Sequence, residues 1–563
     1  MTCPRSNASC RSRSTFSEGR IVRGHRRLPI LLLLTVIAAL AMLIPAAYAS
    51  AIDEDAIARN FFYSALLCLT FAGMIALATA ANPGTRRSRD LLLICVAVIG
   101  ALPVILAMPF AESLPDTGMF NAWWEMVSSL TTTGASLYSA DLLPAPLHLW
   151  RALVGWMGGL FILVAAVAIL APLRIGGFEI MSSPYARNER FTPLPESANP
   201  RQPASHLSSP AFQTELTDPS YRLIRTARAV FPVYAGLTLL LWLLLLLLGD
   251  SSFIALCRAL GTVSTSGISP TLGPAGENSG MLGEMAVFLF LLPALSRRFW
   301  PGGGELRATE RARHDPELRF ALVIVLLVAT ILFARHFFAA IDSSGAGDGT
   351  QRALTDLRQG MSALWGGLFS ALSYLTTTGW HSVEWQNARA WSGLSSPGLI
   401  LAGLAITGGG VATTAGGVKL LRIYALARHG EREIERIIHP NSVAGGGRMA
   451  RRLRREGAYL AFIFFMLFAA SIGVTILLVS LQQIEFETAT ILSIAALTNT
   501  GPLASAIPLT PAFEGTAGIA SAPWEGWSGL SVMTKTVLAG AMIVGRLEIL
   551  AILALFTPEF WRR

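Results

Sequence analysis

The sequence predicts an all-α polytopic membrane protein: four repeats of helix, half-helix and helix around one pseudo-fourfold pore, plus two extra N-terminal helices. Three observations lead there. The chain is too apolar and too poor in charge for a soluble fold, its arginines gather between long apolar runs, and a short hydroxyl–glycine string recurs four times between those runs.

Of the 563 residues, 53% are hydrophobic and only 14% are charged, against about a quarter charged in soluble proteins. A single buried core stops growing near ~250–300 residues, so a chain this apolar needs several domains or a bilayer to cover it, and the bilayer fits better. The net charge is +9, yet the basic residues form no aromatic-interleaved face of the kind nucleic acid requires. Seven arginines lie in the first 27 residues, and others cluster at Arg86, Arg87 and Arg89, at Arg297, Arg298, Arg307, Arg311 and Arg313, and at Arg448, Arg451, Arg452, Arg454 and Arg455. Clusters flanking apolar runs are the pattern of cytoplasmic loops. The five cysteines, Cys3, Cys10, Cys68, Cys95 and Cys257, are odd in number and widely spaced, which indicates neither a disulfide framework nor a zinc site.

Crossing the hydrocarbon core takes about 20 mostly apolar residues. Such runs lie near 28–49, 58–80, 90–111, 147–171, 226–249, 319–341, 395–425, 457–481 and 526–556, with a shorter one near 281–296. The first follows basic residues and ends in AAYAS like a secretory signal, but its length of about 20 exceeds the usual signal core of about 7–15, so an uncleaved helix is expected. Four amphiphilic stretches near 119–131, 251–263, 361–375 and 485–497 are too short to cross and are expected to be half-helices. Ten spans with returning half-helices put both termini, and all the arginine clusters, on the cytoplasmic side. The segment 181–220, rich in Pro, Ser and Arg without periodicity, reads as a cytoplasmic loop.

Each half-helix ends in a hydroxyl-rich string closed by glycine: SLTTTGAS at Gly134, TVSTSGIS at Gly267, YLTTTGWH at Gly379 and ALTNTGPL at Gly501, spaced by 133, 112 and 122 residues. Irregular backbone at membrane depth is tolerated only inside protein or along a water-filled cavity. Glycine permits positive φ, which turns carbonyls toward a common axis, and rings of carbonyls can replace the hydration shell of a monovalent cation. The half-helix C-termini, partially negative, favour cations at the same place.

Only two of the 44 basic side chains are lysines, Lys419 and Lys535, each within or at the end of an apolar span. Ionisable groups at membrane depth are costly and point to function. Lys535 and Arg546 are 11 residues apart, about three turns and about 16 Å along one helical face. Arg546 and Glu548, two apart, do not face each other, so Arg546 is expected toward the axis and Glu548 toward another helix, with a structural ion pair inside the bundle as the alternative. In the span after the third string, ITGGGVATTAGGVKLLR carries Gly408, Gly409, Gly410, Gly416 and Gly417 with Thr413 and Thr414 between them. Each glycine costs a helix about 1 kcal/mol relative to alanine, so a break at mid-membrane is expected, with close helix packing through small residues as the alternative.

These residues resemble the TrkH/TrkG/KtrB superfamily of potassium transporters. FNAWWEMVSSLTTTGAS is similar to the family's first pore helix and filter, and GWMGGLFILVAAVAIL to the helix that follows it. GGGVATTAGGVKLLR is similar to its intramembrane gating loop, TNTGP to its fourth filter, and KTVLAGAMIVGRLEILAILALFTPEFWR to its final helix. The resemblance covers nearly all of the chain after residue 28 and implies M1–pore-helix–M2 repeats. It implies a basic tail at 1–27, two extra helices at 28–85, repeat 1 at 86–180, the loop 181–220, repeat 2 at 221–316, repeat 3 at 317–450 with a gating loop at 407–418, and repeat 4 at 451–563. Residues carried over to ion contact are Thr132, Thr133 and Gly134; Thr265, Ser266 and Gly267; Thr377, Thr378 and Gly379; and Asn499, Thr500 and Gly501. Gating is carried over to Gly408, Gly409, Gly410, Thr413, Thr414, Gly416, Gly417, Lys419 and Arg546. Glycine at all four filter positions favours K+ over Na+, since sodium-selective plant relatives can carry serine in the first. Two departures stand out: Ser266 replaces a commonly seen glycine, and Ala412 replaces the glycine usual before the Ser/Thr–Thr pair.

The expectation is therefore K+ uptake across a bacterial inner membrane, with no covalent chemistry and no organic cofactor, the ion being cargo. The resemblance also implies a homodimer, and the two extra N-terminal helices imply a cytosolic nucleotide-binding regulatory partner of the TrkA type. A Na+ or unselective cation pathway is the alternative. A membrane-embedded enzyme would need acids or a nucleophile and base converging at membrane depth; the eight histidines are scattered and Glu548 is the clearest buried carboxylate. A receptor or scaffold would have no need of four such loops.

Overall fold

The structure, a computed structural model, describes residues 30–79, 88–171, 177–178, 219–271, 278–301, 315–341, 349–385, 388, 398–439, 455–506 and 526–547. These residues are helical and carry no strand. In order, the main helices are α1 (Ile30–Ala51), α2 (Asp55–Thr79), α3 (Ser88–Ser113), α4 (Gly118–Leu130), α5 (Ala145–Ala165), α6 (Pro219–Leu247), α7 (Ser252–Val263) and α8 (Gly280–Leu291). They continue with α9 (Pro316–Ile341), α10 (Gly349–Leu375), α11 (Gly398–Thr407), α12 (Leu420–Ile438), α13 (Arg455–Ser480), α14 (Phe486–Leu497) and α15 (Val532–Leu547).

Seven helical stretches are long and apolar enough to cross a bilayer: Ile30–Ala51, Asp55–Thr79, Leu93–Ser113, Ala145–Leu170, Arg222–Leu247, Pro316–Ala334 and Gly457–Ser480. The other three apolar runs are shorter among the described residues. The run near 281–296 forms α8 and then a single 3-10 turn at Leu292–Ala294. The run 395–425 is broken between α11 and α12, as its glycines predict. The last is described only to Leu547. One expectation needs correction: the half-helix at 361–375 is the second half of a 27-residue helix, α10. Its first part, GTQRALTDLRQG, is too polar to register as part of an apolar helix, though its Gln, Arg, Ala and Leu residues favour one.

Polarity is inverted relative to a soluble protein. Leu77, Leu247, Phe71, Leu327 and Leu477 are exposed on the outside, while Thr131, Thr133, Ser266, Thr378 and Thr500 are wholly buried at the centre. Lipid tails are as apolar as leucine, so helices here associate through close packing and hydrogen bonds. Gly158 of α5 and Gly545 of α15 allow that approach: a methyl at either would collide with a carbonyl at the end of a half-helix, Leu130 for α4 and Leu497 for α14.

The helix neighbours form a closed cycle. The half-helix α4 lies between α15 and α5, α7 between α5 and α8, α10 between α8 and α11, and α14 between α11 and α15. Each also packs on the helix that precedes it, α3, α6, α9 and α13 respectively. Helices α1 and α2 pair with each other and pack on α3 and, through α1, on α5. Phe61 meets Trp150 edge-on with ring centres 5.7 Å apart, and Tyr48 stacks on Phe253 of α7 at 5.2 Å.

Candidate functional site

The four half-helices run into four loops of one conformation. Two positions before each loop glycine, Thr132, Thr265, Thr377 and Asn499 adopt φ of 56°, 54°, 57° and 56°. Left-handed backbone costs a residue bearing a Cβ roughly 1–2 kcal/mol, so the same strain is held four times. One residue before each glycine, a backbone N–H reaches back to the half-helix: Thr133 to Ser128 O (2.9 Å), Ser266 to Gly261 O (3.0 Å), Thr378 to Ser373 O (2.9 Å) and Thr500 to Ala495 O (2.9 Å). The flanking hydroxyls pair within each loop: Thr131 with Thr133 at 2.8 Å, Ser264 with Ser266 at 2.9 Å, Thr376 with Thr378 at 3.0 Å and Thr498 with Thr500 at 3.2 Å. Ser266 thus fills the place that a threonine takes in the other three loops, and its hydroxyl makes the same pair.

The glycines divide into two kinds, which corrects the expectation that all four supply positive φ. Gly134, Gly267 and Gly379 do, at 75°, 63° and 78°, but Gly501 does not. Gly501 is small for closeness instead, since a methyl there would meet the backbone of Thr133 and Ala135. Steric closeness links all four loops in sequence order: a methyl at Gly134 would strike Ser266 O, one at Gly267 would strike Thr378 O, and one at Gly379 would press on Pro502 at 3.0 Å. The fourth loop closes on the first, with Gly501 N–H donating to Thr133 O at 2.7 Å and Asn499 Nδ2 donating to Thr133 Oγ1 at 3.0 Å. All twelve residues singled out by resemblance are therefore brought together at one place.

The glycine-rich segment between α11 and α12 lies against this ring. Gly416 N–H donates to Thr377 Oγ1 at 2.7 Å, and a methyl on Gly416 would strike Thr498 O. Its other end is tied elsewhere: Gly410 N–H donates to Ala294 O at 3.0 Å and Val411 N–H to Glu317 Oε1 at 3.0 Å. Gly408 and Gly417 take positive φ at each end of the segment, and a methyl at Gly409 would crowd Ala294 O. Thr413 Oγ1 donates to Gly410 O at 2.8 Å, and Thr414 is buried with no hydrogen-bond partner for its hydroxyl among the described residues. Ala412 has φ of 52°; the glycine that it replaces would hold that conformation without strain. Lys419, at φ 85°, precedes α12 and donates through Nζ to Ala415 O.

Arg546 is 5% exposed, and its Nε and Nη2 have no hydrogen-bond partner among the described residues. Lys535, in the first turn of α15, sits beside α4: its carbonyl accepts from Trp124 Nε1 at 3.0 Å and its Nζ reaches Asn121 Oδ1 at 3.4 Å. The two are on one unbroken helix, as their spacing predicts. Glu548 lies outside the described residues.

Several buried charges were not singled out from sequence. Glu125 on α4 pairs with Arg151 at 2.9 Å and accepts from Leu137 N (2.5 Å) and Ser136 Oγ (3.1 Å), just past the first loop. Arg258 on α7 pairs with Asp250 at 2.7 Å, both fully buried. Glu284 on α8 reaches the segment after the third loop, and Glu317 on α9 holds the glycine segment. Charges at membrane depth were the available signal. Their partners, up to 99 residues away, carried none.

An apolar outer surface around a buried, hydroxyl-rich centre of strained loops is the architecture of a membrane transport protein, and the buried carboxylates Glu125, Asp250, Glu284, Asp315 and Glu317 each hold backbone or a cation. Comparisons with known proteins agree. The family described as "TrkH: Cation transport protein" matches residues 314–563. The chain is 28% identical to the "Trk system potassium uptake protein TrkH" of Salmonella typhimurium, over 91% of this chain and 94% of the relative. It is 27% identical to the protein of that name from Escherichia coli K12, over 94% and 98%, and 29% identical to that of Halomonas elongata, over 85% and 87%. It shares the fold of the crystal structure of the potassium transporter TrkH from Vibrio parahaemolyticus, with a TM-score of 0.69, 24% identity and 95% and 99% of the two chains covered. The chain is thus similar over most of its length to potassium uptake proteins of the TrkH type, and residues 314–563 match a family of cation transport proteins rather than of enzymes.

Proposed function

We propose that this chain takes up K+, selecting it with backbone oxygens of the four loops at residues 132–134, 265–267, 377–379 and 499–501. The observation that carries the reading is the closed cycle of four like-shaped loops, each touching the next. Because the flanking hydroxyls pair with one another, the polar groups left to face a passing ion are main-chain carbonyls, which can substitute for its water. The C-terminal ends of α4, α7, α10 and α14 lead into the loops, and their partial negative charge favours a cation there. The names of the relatives, potassium uptake proteins, favour K+ over Na+.

The glycine segment 408–419 serves as the gate, since it contacts the third and fourth loops directly, and Arg546 adds a fixed positive charge that limits passage. The protein works in a bacterial inner membrane, with both termini and the arginine clusters in the cytoplasm. It acts as a homodimer regulated by a cytosolic nucleotide-binding subunit of the TrkA type. The test is complementation of a strain lacking K+ uptake at low external K+. Wild-type chain restores growth, replacements of Gly134 or Gly379 by valine abolish it at equal membrane abundance, and an Arg546→Ala variant retains or raises uptake. Growth supported equally by the two glycine variants would remove the loops from the transport path.

A further inference from the structure

Glu284 stands on α8, after the second loop, yet its carboxylate serves the third. Its Oε2 accepts from Ser382 Oγ at 2.8 Å and from Trp365 Nε1 at 2.8 Å, and its Oε1 accepts the backbone N–H of Val383. Ser382 and Val383 are the third and fourth residues after Gly379. Glu284 is 1% exposed, and three donors on two oxygens suit an ionised carboxylate, which only accepts.

The segment between fills the seam of the second and third loops. Trp380 is 2% exposed, and its indole would lie 3.2 Å from a methyl on Gly267 and 3.2 Å from one on Gly261. Its backbone N–H donates to Ser373 Oγ at 2.7 Å. The third loop is thus anchored at one end by α10 and at the other by a carboxylate from the neighbouring repeat. The first loop has a comparable anchor one residue nearer its glycine, Glu125, which holds Ser136 and Leu137 but stands on the loop's own half-helix. The first and third loops stand opposite one another in the cycle.

We infer that Glu284 is a positioning residue for ion selectivity: by holding Ser382 and Val383 it keeps the third loop from closing inward around a cation smaller than K+. This rests on the reading of the loops as the ion-selecting ring. Glutamine at this position would keep one accepting oxygen, with room for two donors, and turn the other side into an NH2 that only donates, so at least one of the three bonds is lost. A slack loop then admits Na+, whose smaller radius demands a tighter ring.

The test uses the full chain in proteoliposomes, with Rb+ uptake competed by K+ and by Na+. The readout is the ratio of Na+ to K+ concentrations giving half inhibition. In Glu284→Gln this ratio is expected to fall about tenfold, the equivalent of one charged hydrogen bond, and in Trp365→Phe, which removes one donor and keeps the ring, by a smaller factor. Trp365→Phe also keeps the test decisive where Glu284→Gln fails to fold. Reduced uptake with an unchanged ratio in the folded variants would overturn the inference, because a merely structural role lowers flux without altering preference. A wild-type chain that competes equally with both ions overturns the loop reading and this inference together; a selective wild type with unaltered variants overturns this inference alone.

Discussion

Gly501 donates its backbone N–H to the carbonyl oxygen of Thr133 at 2.7 Å, across 368 residues of sequence, so that the last loop closes on the first. No other contact so plainly makes one ring of four separate strings. Gly501 has ordinary backbone φ, and only the absence of a side chain lets it approach. Gly501→Ala is therefore expected to reduce Rb+ uptake by at least about fivefold through crowding alone, for an overpacked close contact costs ~1–3 kcal/mol. Uptake in vesicles normalised to membrane-bound protein measures it; wild-type uptake in the alanine variant would show that the contact does not shape the path.

Ala412 offers the opposite kind of change. At φ 52° it is strained where glycine is not, and relief of ~1 kcal/mol favours the conformation seen here by about fivefold. If that conformation restricts passage, Ala412→Gly lowers Rb+ flux by up to about fivefold. An increase in flux would mean that the segment as described is open.

Glu317 should act in reverse. Its Oε1 accepts the N–H of Val411 and so ties the glycine segment to α9. Glu317→Ala frees that end and leaves a buried N–H without its acceptor, destabilising the restricting form by about 1–3 kcal/mol. Flux independent of any regulatory subunit is expected to rise severalfold in reconstituted protein. Lower flux at equal abundance would contradict a tethering role.

The two ion pairs Arg258–Asp250 and Arg428–Glu431 should differ widely in value. The first is fully buried at 2.7 Å, and the second has side chains 49% and 62% exposed. Asp250→Asn takes the charged partner from a buried guanidinium and is expected to cost about 3–5 kcal/mol, whereas Glu431→Gln should cost no more than about 1 kcal/mol. Thermal unfolding in detergent, followed by tryptophan fluorescence, compares them. Equal melting temperatures would contradict the burial argument.

The loops were legible because their signal is local and repeated: Thr, Ser, Asn and Gly at fixed places, four times over. The break after Thr407 was legible for the same reason, since five glycines within ten residues oppose a helix. What the sequence hid is relational. Nothing in the strings shows that the left-handed strain falls on Thr132, Thr265, Thr377 and Asn499 as well as on glycine. Nor do they show that Gly501 alone of the four is there for closeness. Glu284 and Glu317 went unmarked because a lone carboxylate in an apolar run has no meaning until its donors, 81 to 99 residues distant, are placed beside it. The helix α10 outran its apolar half because hydropathy does not mark the polar turns with which it begins.

Whether one alkali ion sits within the four loops can be observed directly from the anomalous scattering of Rb+ in crystals grown with RbCl. The account predicts a peak enclosed by residues 132–134, 265–267, 377–379 and 499–501, displaced by K+ and retained in Na+. Ordered Rb+ elsewhere in the protein, with this enclosure empty, would contradict it.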